Sequence, residues 1–287
     1  MCQNLGMTTE DRAVPREVTR TGPPMPLGPQ ETIDQLLRGL RRDQVPIRTT
    51  FVQKGKGKDT TPGKLAEFVS GRDVRGLDAY LLLHALASSA PWNCDLPSGF
   101  WVRCLGLADV ATEGPEAIDN ARAAVSKIMK RLVDRDLVKR TRVKRRASLT
   151  LLCEDGSGED YTHPFDRNER YLQLPHAYWH DGHFLTLSLA AKVMLLISLE
   201  RKDKFVLPQK KVPGWYGVSA DTADRGFREL REVGLLDVRE DWVTNPRSDI
   251  GWTQQYVYSL TGEFSAKARS KASAEAEKSY AAQEENA

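Results

Sequence analysis

Apolar side chains recur at helical spacing in several stretches of this chain. The clearest stripe consists of Val125, Ile128, Met129 and Leu132. Its spacing predicts an amphipathic helix with an opposite polar face. The stretches 77–90 and 189–199 are almost wholly apolar, which is typical of buried helices. The chain is therefore predicted to be mainly helical, with its helices grouped around apolar cores.

The residues around the stripe predict a first folded unit. A helix over 77–90 is expected to precede a short strand at 100–102 and a short helix at 105–110. The stripe helix follows, and the alternation from Lys139 predicts a β-hairpin that continues to Cys153 and returns at 161–163. The acidic stretch 154–160 lacks the spacing of a calcium loop, so we interpret it as the solvated turn of that hairpin.

A weaker copy of the same order follows in the second half of the chain. Leu189 to Leu199 matches the earlier apolar helix, and Ser219 and Gly234 are a good N-cap and C-cap for a helix over 220–233. Two strands, 235–239 and 255–260, then predict a second hairpin. The matching order indicates an internal duplication. The predicted fold class is α+β, mainly α with small β-hairpins.

The ends of the chain give weaker patterns. Residues 1–71 are rich in proline and poor in apolar periodicity, which predicts a largely disordered arm with one short helix at 31–40 that docks on the body or on a partner. The two units are expected at 72–165 and 166–262. The stretch 263–287 is rich in Ala, Lys and Glu, which predicts a charged helical or disordered tail.

Charge is unevenly distributed along the chain. The whole chain carries only +3, whereas residues 117–146 hold eleven Lys or Arg against three Asp, a net of +8. Such a concentration on a helix and a following hairpin predicts a surface that binds phosphates. The corresponding stretch of the second unit, 217–240, has four arginines against six acids, a net of −2.

Other chemistry is not indicated by the sequence. No nucleotide-binding, hydrolase or zinc-protease motif occurs, so we expect no enzymatic activity and no cofactor. His176, His180 and His183 have ligand-like spacing, but Pro175 and a following Asp-Gly turn favour an irregular packed segment over a metal site. The four cysteines form no C-x-x-C pair and are expected to be incidental thiols. No apolar run is long enough to span a bilayer, and a cytoplasmic, nucleoid-associated location is expected.

The order of elements over 74–262 resembles the tandem winged-helix DNA-binding proteins of bacteria, which include transcriptional regulators and plasmid replication initiators. The phrases ARAAVSKIMKRLVDRDLVKR and VSADTADRGFRELREVGLLDV carry the resemblance. It implies two winged helix-turn-helix domains in tandem that bind double-stranded DNA sequence-specifically through a third helix and a hairpin wing. A transcriptional regulator is the expected function; a replication initiator or a protein-interaction module is the alternative.

The resemblance also implies which residues contact DNA. In the first unit they are Asn120, Arg122, Ser126, Lys127 and Lys130 on the helix, and Arg142, Lys144, Arg145 and Arg146 on the wing. In the second unit they are Ser219, Thr222, Arg225 and Arg228, with Arg247 at the wing tip. The acids of the second unit also allow that unit to bind a protein partner instead. The 31–40 segment is a separate candidate for contact with a protein partner. The oligomeric state is left open.

Overall fold

Much of the stretch ahead of the first unit is folded, contrary to the expected arm. The computed structural model describes residues 27–40, 42–108, 114–143, 146–167 and 169–284. Its first elements are α1 (Pro29–Leu37), β1 (Gln44–Arg48), β2 (Gln53–Lys54), β3 (Thr61–Pro62) and α2 (Leu65–Ser70). Val45, Ile47, Phe51 and Phe68 are wholly buried. The expectation of disorder is therefore wrong for residues 42–70, and residues 1–26 lie outside the described part.

The first unit follows this segment directly. Its elements are α3 (Val74–Leu86), β4 (Asn93–Cys94), α4 (Ser98–Cys104), α5 (Pro115–Asp134), β5 (Val138–Val143) and β6 (Arg146–Leu151). The strands form one antiparallel sheet in the order β4-β6-β5. The four stripe residues of α5 are all at most 4% exposed, which confirms the predicted amphipathic helix.

The short elements of this unit differ from their predicted positions. The strand lies at Asn93–Cys94 and not at 100–102, where the apolar run instead belongs to α4. A run of three apolar residues fits a buried helical turn as well as a strand, so the pattern was ambiguous. The hairpin turns between Val143 and Arg146, not at the acidic stretch. Glu154 of that stretch is fully buried and not solvated.

The segment between the two units joins them to the beginning of the chain. It contains β7 (Tyr171–Pro175), α6 (Ala177–His180) and α7 (His183–Thr186), where the sequence predicted an irregular stretch. β7 pairs antiparallel with β1, and Val45 lies opposite Leu174. The predicted helix at 31–40 is confirmed as α1, and its Ile33 and Leu37 are buried in the body. That apolar face is consequently not free to bind a partner.

The second unit repeats the order of the first. It contains α8 (Leu189–Glu200), β8 (Phe205–Val206), α9 (Val212–Tyr216), α10 (Ala220–Glu232), β9 (Leu236–Thr244) and β10 (Trp252–Leu260). The sheet order β8-β10-β9 matches that of the first unit, because in both cases the short strand pairs with the last strand. The α+β class with small antiparallel sheets is therefore as predicted.

The chain continues into α11 (Ala266–Glu284), as the helical alternative for the tail predicted. Its beginning is anchored to the core, contrary to a purely solubilising role. Phe264 is 1% exposed, and Arg269 Nη1 donates to the backbone oxygen of Leu199 at 3.2 Å. Gln44 of β1 donates to the Arg269 carbonyl at 2.9 Å. The tail thus contacts both the second unit and the N-terminal segment.

Two buried ion pairs connect the parts of the fold. Arg48 Nη1 lies 2.7 Å from Glu154 Oε2, and its backbone N–H donates to the other carboxylate oxygen at 3.0 Å. Lys192 of α8 places Nζ 2.6 Å from Asp78 Oδ1 on α3. A buried charge without a partner is costly, so each pair constrains how its two segments can sit together. The first pair ties β1 to the first unit, and the second ties the two units to each other.

Candidate nucleic-acid interface

Helix α5 presents five of the nine residues of the first unit that are predicted to contact DNA. Pro115 occupies its first turn, where a missing N–H costs nothing, and the buried stripe fixes which face points to solvent. The side chains of Asn120, Arg122, Lys127 and Lys130 are exposed, and Ser126 is half-buried. The structure thus brings together on one helix the five residues that the sequence assigned to it.

Two of these cations pair with acids of the same helix. Arg122 Nη1 lies 2.9 Å from Asp119 Oδ1, and Lys130 Nζ lies 2.7 Å from Asp134 Oδ2. Exposed pairs of this kind contribute only about 0.3 to 0.5 kcal/mol, so an approaching phosphate displaces them easily. Lys127 has no ion pair among the described residues.

Two other cations near the end of α5 have a structural role. Arg131 and Arg135 both bind the carboxylate of Asp73, each with a contact of 2.7 Å. Asp73 also caps α3 by accepting the Gly76 N–H at 3.0 Å. Burial raises the pKa of Asp73, but the hydrogen bonds from the two arginines outweigh it and lower the pKa overall. Arg131 therefore fixes α5 against α3.

The first hairpin stands beside α5 and forms a groove with it. The inner face of the hairpin is the face directed toward α5, with Leu151 opposite Val138, Leu149 opposite Arg140 and Ala147 opposite Arg142. The groove encloses about 620 Å³. Its apolar lining includes Trp101, Val125, Met129 and Leu149, and its polar lining includes Arg122, Ser126, Arg140 and Arg142. We refer to it below as the basic groove.

The basic groove is ordered by a contact across it. Arg140 Nη1 donates to Ser126 Oγ at 3.2 Å, which joins β5 to α5. Arg142 is exposed and has no ion pair among the described residues. The predicted wing residues Lys144 and Arg145 lie outside the described part, as does the side chain of Arg146. Of the four predicted wing residues, the structure therefore places only the Arg142 side chain.

The second unit presents a different surface at the corresponding positions. Ser219 caps α10 as predicted, accepting the Thr222 N–H at 3.1 Å. Arg225 Nε lies 3.1 Å from Asp221, and Arg228 Nη2 lies 2.6 Å from Asp224. Both predicted arginines thus pair with acids of their own helix, as Arg122 and Lys130 do on α5. Arg247 is exposed in the connection between β9 and β10, as predicted.

The second hairpin also carries a surface that the sequence reasoning missed. Trp242, Trp252 and Tyr256 are 55%, 50% and 47% exposed. Cross-strand pairs place Trp242 opposite Gln254 and Tyr256 opposite Glu240. The alternation of the strands could have revealed this surface, because positions 238, 240 and 242 share a face and only the first is near the core.

The remaining candidate sites have structural explanations. His176 is buried and burial lowers its pKa to about 4, while His180 Nδ1 lies 2.8 Å from Asp34. Within the described ranges, no group of three His, Cys, Asp or Glu is placed to hold a metal ion. Cys94, Cys104 and Cys153 are free and buried. The described helices include none whose length and apolar character would allow it to cross a membrane.

Comparison with protein-family models, curated proteins and solved structures finds no match for this chain. Function is therefore argued from the interface itself.

Proposed function

We propose that this chain is a sequence-specific double-stranded DNA-binding protein built from two winged helices in tandem, of the kind used by transcriptional regulators. The observation that carries the proposal is the exposed basic face of α5 beside a basic hairpin. The stretch from Val138 to Leu151 has six cations and no acid. A helix of this kind fits the major groove of B-DNA, and a basic hairpin beside it is placed to neutralise phosphates.

The topology supports the same proposal. Both units have the order helix, short strand, short helix, longer helix and hairpin, with the short strand paired to the last strand. In a winged helix the third helix reads base edges and the hairpin contacts the neighbouring backbone. On this basis α5 and α10 are the candidate reading helices, and β5–β6 and β9–β10 are the candidate wings.

Charge assigns unequal roles to the two units. In the first, Lys127 and Arg142 are exposed without acidic partners among the described residues. In the second, Arg225 and Arg228 each pair with an acid one turn earlier. We assign the main DNA contact to the first unit. The second unit adds few phosphate contacts and has a surface suited to protein.

The test begins with selection of bound duplexes from a random pool, followed by affinity measurements against salt. A sequence-specific binder enriches one motif, and the logarithm of its affinity falls linearly with the logarithm of salt concentration. Enrichment of no motif, with weak binding that depends only on salt, would contradict the proposal. That result would favour a protein-interaction module.

Variants then locate the interface. Arg142→Ala should weaken binding to all sequences and reduce the salt slope by about 1, as expected for one lost phosphate contact. Lys127→Ala should instead alter the preference among bases, at a cost of about 1 to 3 kcal/mol for the best site. The matched control is Arg225→Ala with Arg228→Ala, on the equivalent helix. If the control weakens binding as much as the first-unit variants, the unequal roles are wrong.

A further inference from the structure

The exposed aromatic residues of the second hairpin form one continuous surface. Each strand of this hairpin has nine residues, compared with six in the first hairpin, so it extends further from the core. Tyr258, opposite Val238, stacks on Phe227 of α10 with ring centroids 4.4 Å apart, which identifies the inner face. Trp242, Trp252 and Tyr256 continue that same face outward, because alternate residues of a strand share a face. We call these three rings the aromatic face.

The charge around the aromatic face disfavours nucleic acid. The hairpin from Leu236 to Leu260 holds four acids and two arginines, a net of −2. Unpaired bases do stack on aromatic rings, but proteins that bind them also supply a positive groove for the backbone. Here Glu240 shares the face of the three rings and lies directly opposite Tyr256. The chemistry fits a partner with a basic and partly apolar surface.

A surface of that description lies on the first unit of the same chain. The basic groove combines Arg122, Arg140 and Arg142 with an apolar lining that includes Trp101 and Met129. We propose that the aromatic face of one copy docks in the basic groove of a second copy. Aromatic rings are enriched in interface cores, and guanidinium groups stack on them. Glu240, which shares the aromatic face, would lie close to the groove arginines.

Charge also favours docking of the aromatic face in the basic groove over a symmetric contact between two aromatic faces. If two aromatic faces met each other, Glu240, the acid that shares this face, would approach the same residue of a second hairpin that also carries a net charge of −2. A like-charge contact of this kind is unfavourable, whereas the first hairpin supplies six cations and no acid. The contact is therefore heterologous, and each copy has one donor hairpin and one acceptor groove. Such contacts continue from copy to copy unless the rotation closes a ring.

The contact is expected to be weak. Three rings that are about half exposed bury roughly 300 Å² together. A standard interface buries about 800 Å² per partner, so association should occur in the micromolar range and depend on concentration. A hairpin bound in the groove would cover Arg122, Ser126 and Arg142. Docking of the hairpin should therefore compete with DNA binding. This competition is the only part of the inference that rests on the proposed function.

Two complementary variants test the docking without DNA. The first, Trp242→Ser with Tyr256→Ser, removes the aromatic face and retains the groove. The second, Arg140→Glu with Arg142→Glu, reverses the groove charge and retains the aromatic face. Trp242 and Tyr256 are 55% and 47% exposed, and Arg140 and Arg142 are exposed side chains of the groove. Circular dichroism of each variant checks that it remains folded. Sedimentation velocity over a micromolar concentration series measures the mass of each variant alone and of their equimolar mixture.

The expected result is distinctive. The wild type should self-associate with increasing concentration, and each variant alone should associate about tenfold more weakly or worse. The mixture should form a dimer of twice 32.2 kDa and nothing larger, because it contains one intact face and one intact groove. Leu185→Ser, a change at an exposed apolar residue outside the hairpin, is the matched control and should associate like the wild type.

Other outcomes would overturn the proposal. If the groove variant alone still self-associates through its hairpin, the contact is symmetric. If the wild type remains monomeric throughout the series, the aromatic face does not bind a second copy. If the wild type binds single-stranded oligonucleotides and the Trp242 variant does not, the aromatic face binds unpaired bases instead of a second copy. Lys127→Glu distinguishes the two proposals, since it should reduce DNA binding and leave self-association intact.

Discussion

The buried ion pair between α3 and α8 gives the sharpest test of how the two units are held together. Lys192 Nζ lies 2.6 and 2.8 Å from the two carboxylate oxygens of Asp78, and it donates to the Phe184 carbonyl at 2.6 Å. Its side chain is 2% exposed. Lys192→Met retains most of the length of the side chain but removes the charge. Removal of one partner from a buried pair costs about 3 to 5 kcal/mol, which we expect as the loss in free energy of unfolding.

The same variant should depend on pH in a defined direction. Burial raises the pKa of Asp78 even with Lys192 beside it, and loss of the ammonium group would raise that pKa further. The folded variant would then bind a proton more readily than the unfolded chain. Its stability therefore falls as pH rises above the ordinary aspartate pKa of about 3.9, and the deficit shrinks as pH falls back toward that value.

Urea unfolding followed by circular dichroism at several pH values measures both effects. The double variant Asp78→Leu with Lys192→Met should recover much of the loss, because the unpaired carboxylate is gone. Lys127→Met is the control at an exposed site and should change stability by no more than about 0.5 kcal/mol. A cost below about 1 kcal/mol for Lys192→Met, or a double variant less stable than the single one, would refute the reasoning.

Substitutions at three further positions examine separate parts of the fold, each measured by the midpoint of urea unfolding. Phe51→Ala should lower the free energy of unfolding by about 3 to 5 kcal/mol, because the ring is fully buried. A loss as small as that expected at an exposed position would mean that the N-terminal segment is disordered after all. Gly226→Ala should cost about 1 to 3 kcal/mol, since its Cβ would lie 2.5 Å from the Ala190 oxygen and 2.6 Å from Met194 Cγ. Ser219→Ala should cost about 1 kcal/mol, whereas Ser219→Gly should cost only a few tenths; equal costs would mean that the hydroxyl cap is unimportant.

The elements predicted correctly from the sequence are those with strong local signals. Helix α5 has its buried stripe within eight residues, and α10 has a capping serine and a following glycine with φ +75°. These signals depend on neighbours along the chain. The error at α4 has the same cause. Three apolar residues fit a strand and a helical turn equally well when only the local sequence is considered.

The N-terminal segment could not be predicted in this way because its partners are distant. β1 has only two apolar residues around Pro46, and it becomes a strand by pairing with β7. Arg48 looks like a surface cation in the sequence, yet it is 2% exposed because Glu154 neutralises it. The structure of such segments is determined by residues that are distant in the sequence. A local pattern of residues carries no information about those partners.

The candidate interface was predicted in part for the same reason. Exposure of the polar side of α5 followed from its buried stripe, so the placement of Lys127 was predictable. The ion pair that holds Arg131 against α3 depends on Asp73, which lies far from it in the sequence, so the local pattern could not predict it. The aromatic face was missed because the predicted strands, 235–239 and 255–260, do not include Trp242 and Trp252, which the structure places in β9 and β10.

The long-range contacts of the N-terminal segment also set the order in which the molecule can be completed during synthesis. Gln30 donates to the Trp179 carbonyl, 149 residues further along, and Arg48 meets its carboxylate after 106 residues. A ribosome adds about 5 to 20 residues per second, so Gln30 waits about 7 to 30 s for Trp179. Until β7 is made, the edge of β1 that pairs with it is open. A chain terminated after the first unit would retain this exposed edge, and it would be a target for chaperones and proteases.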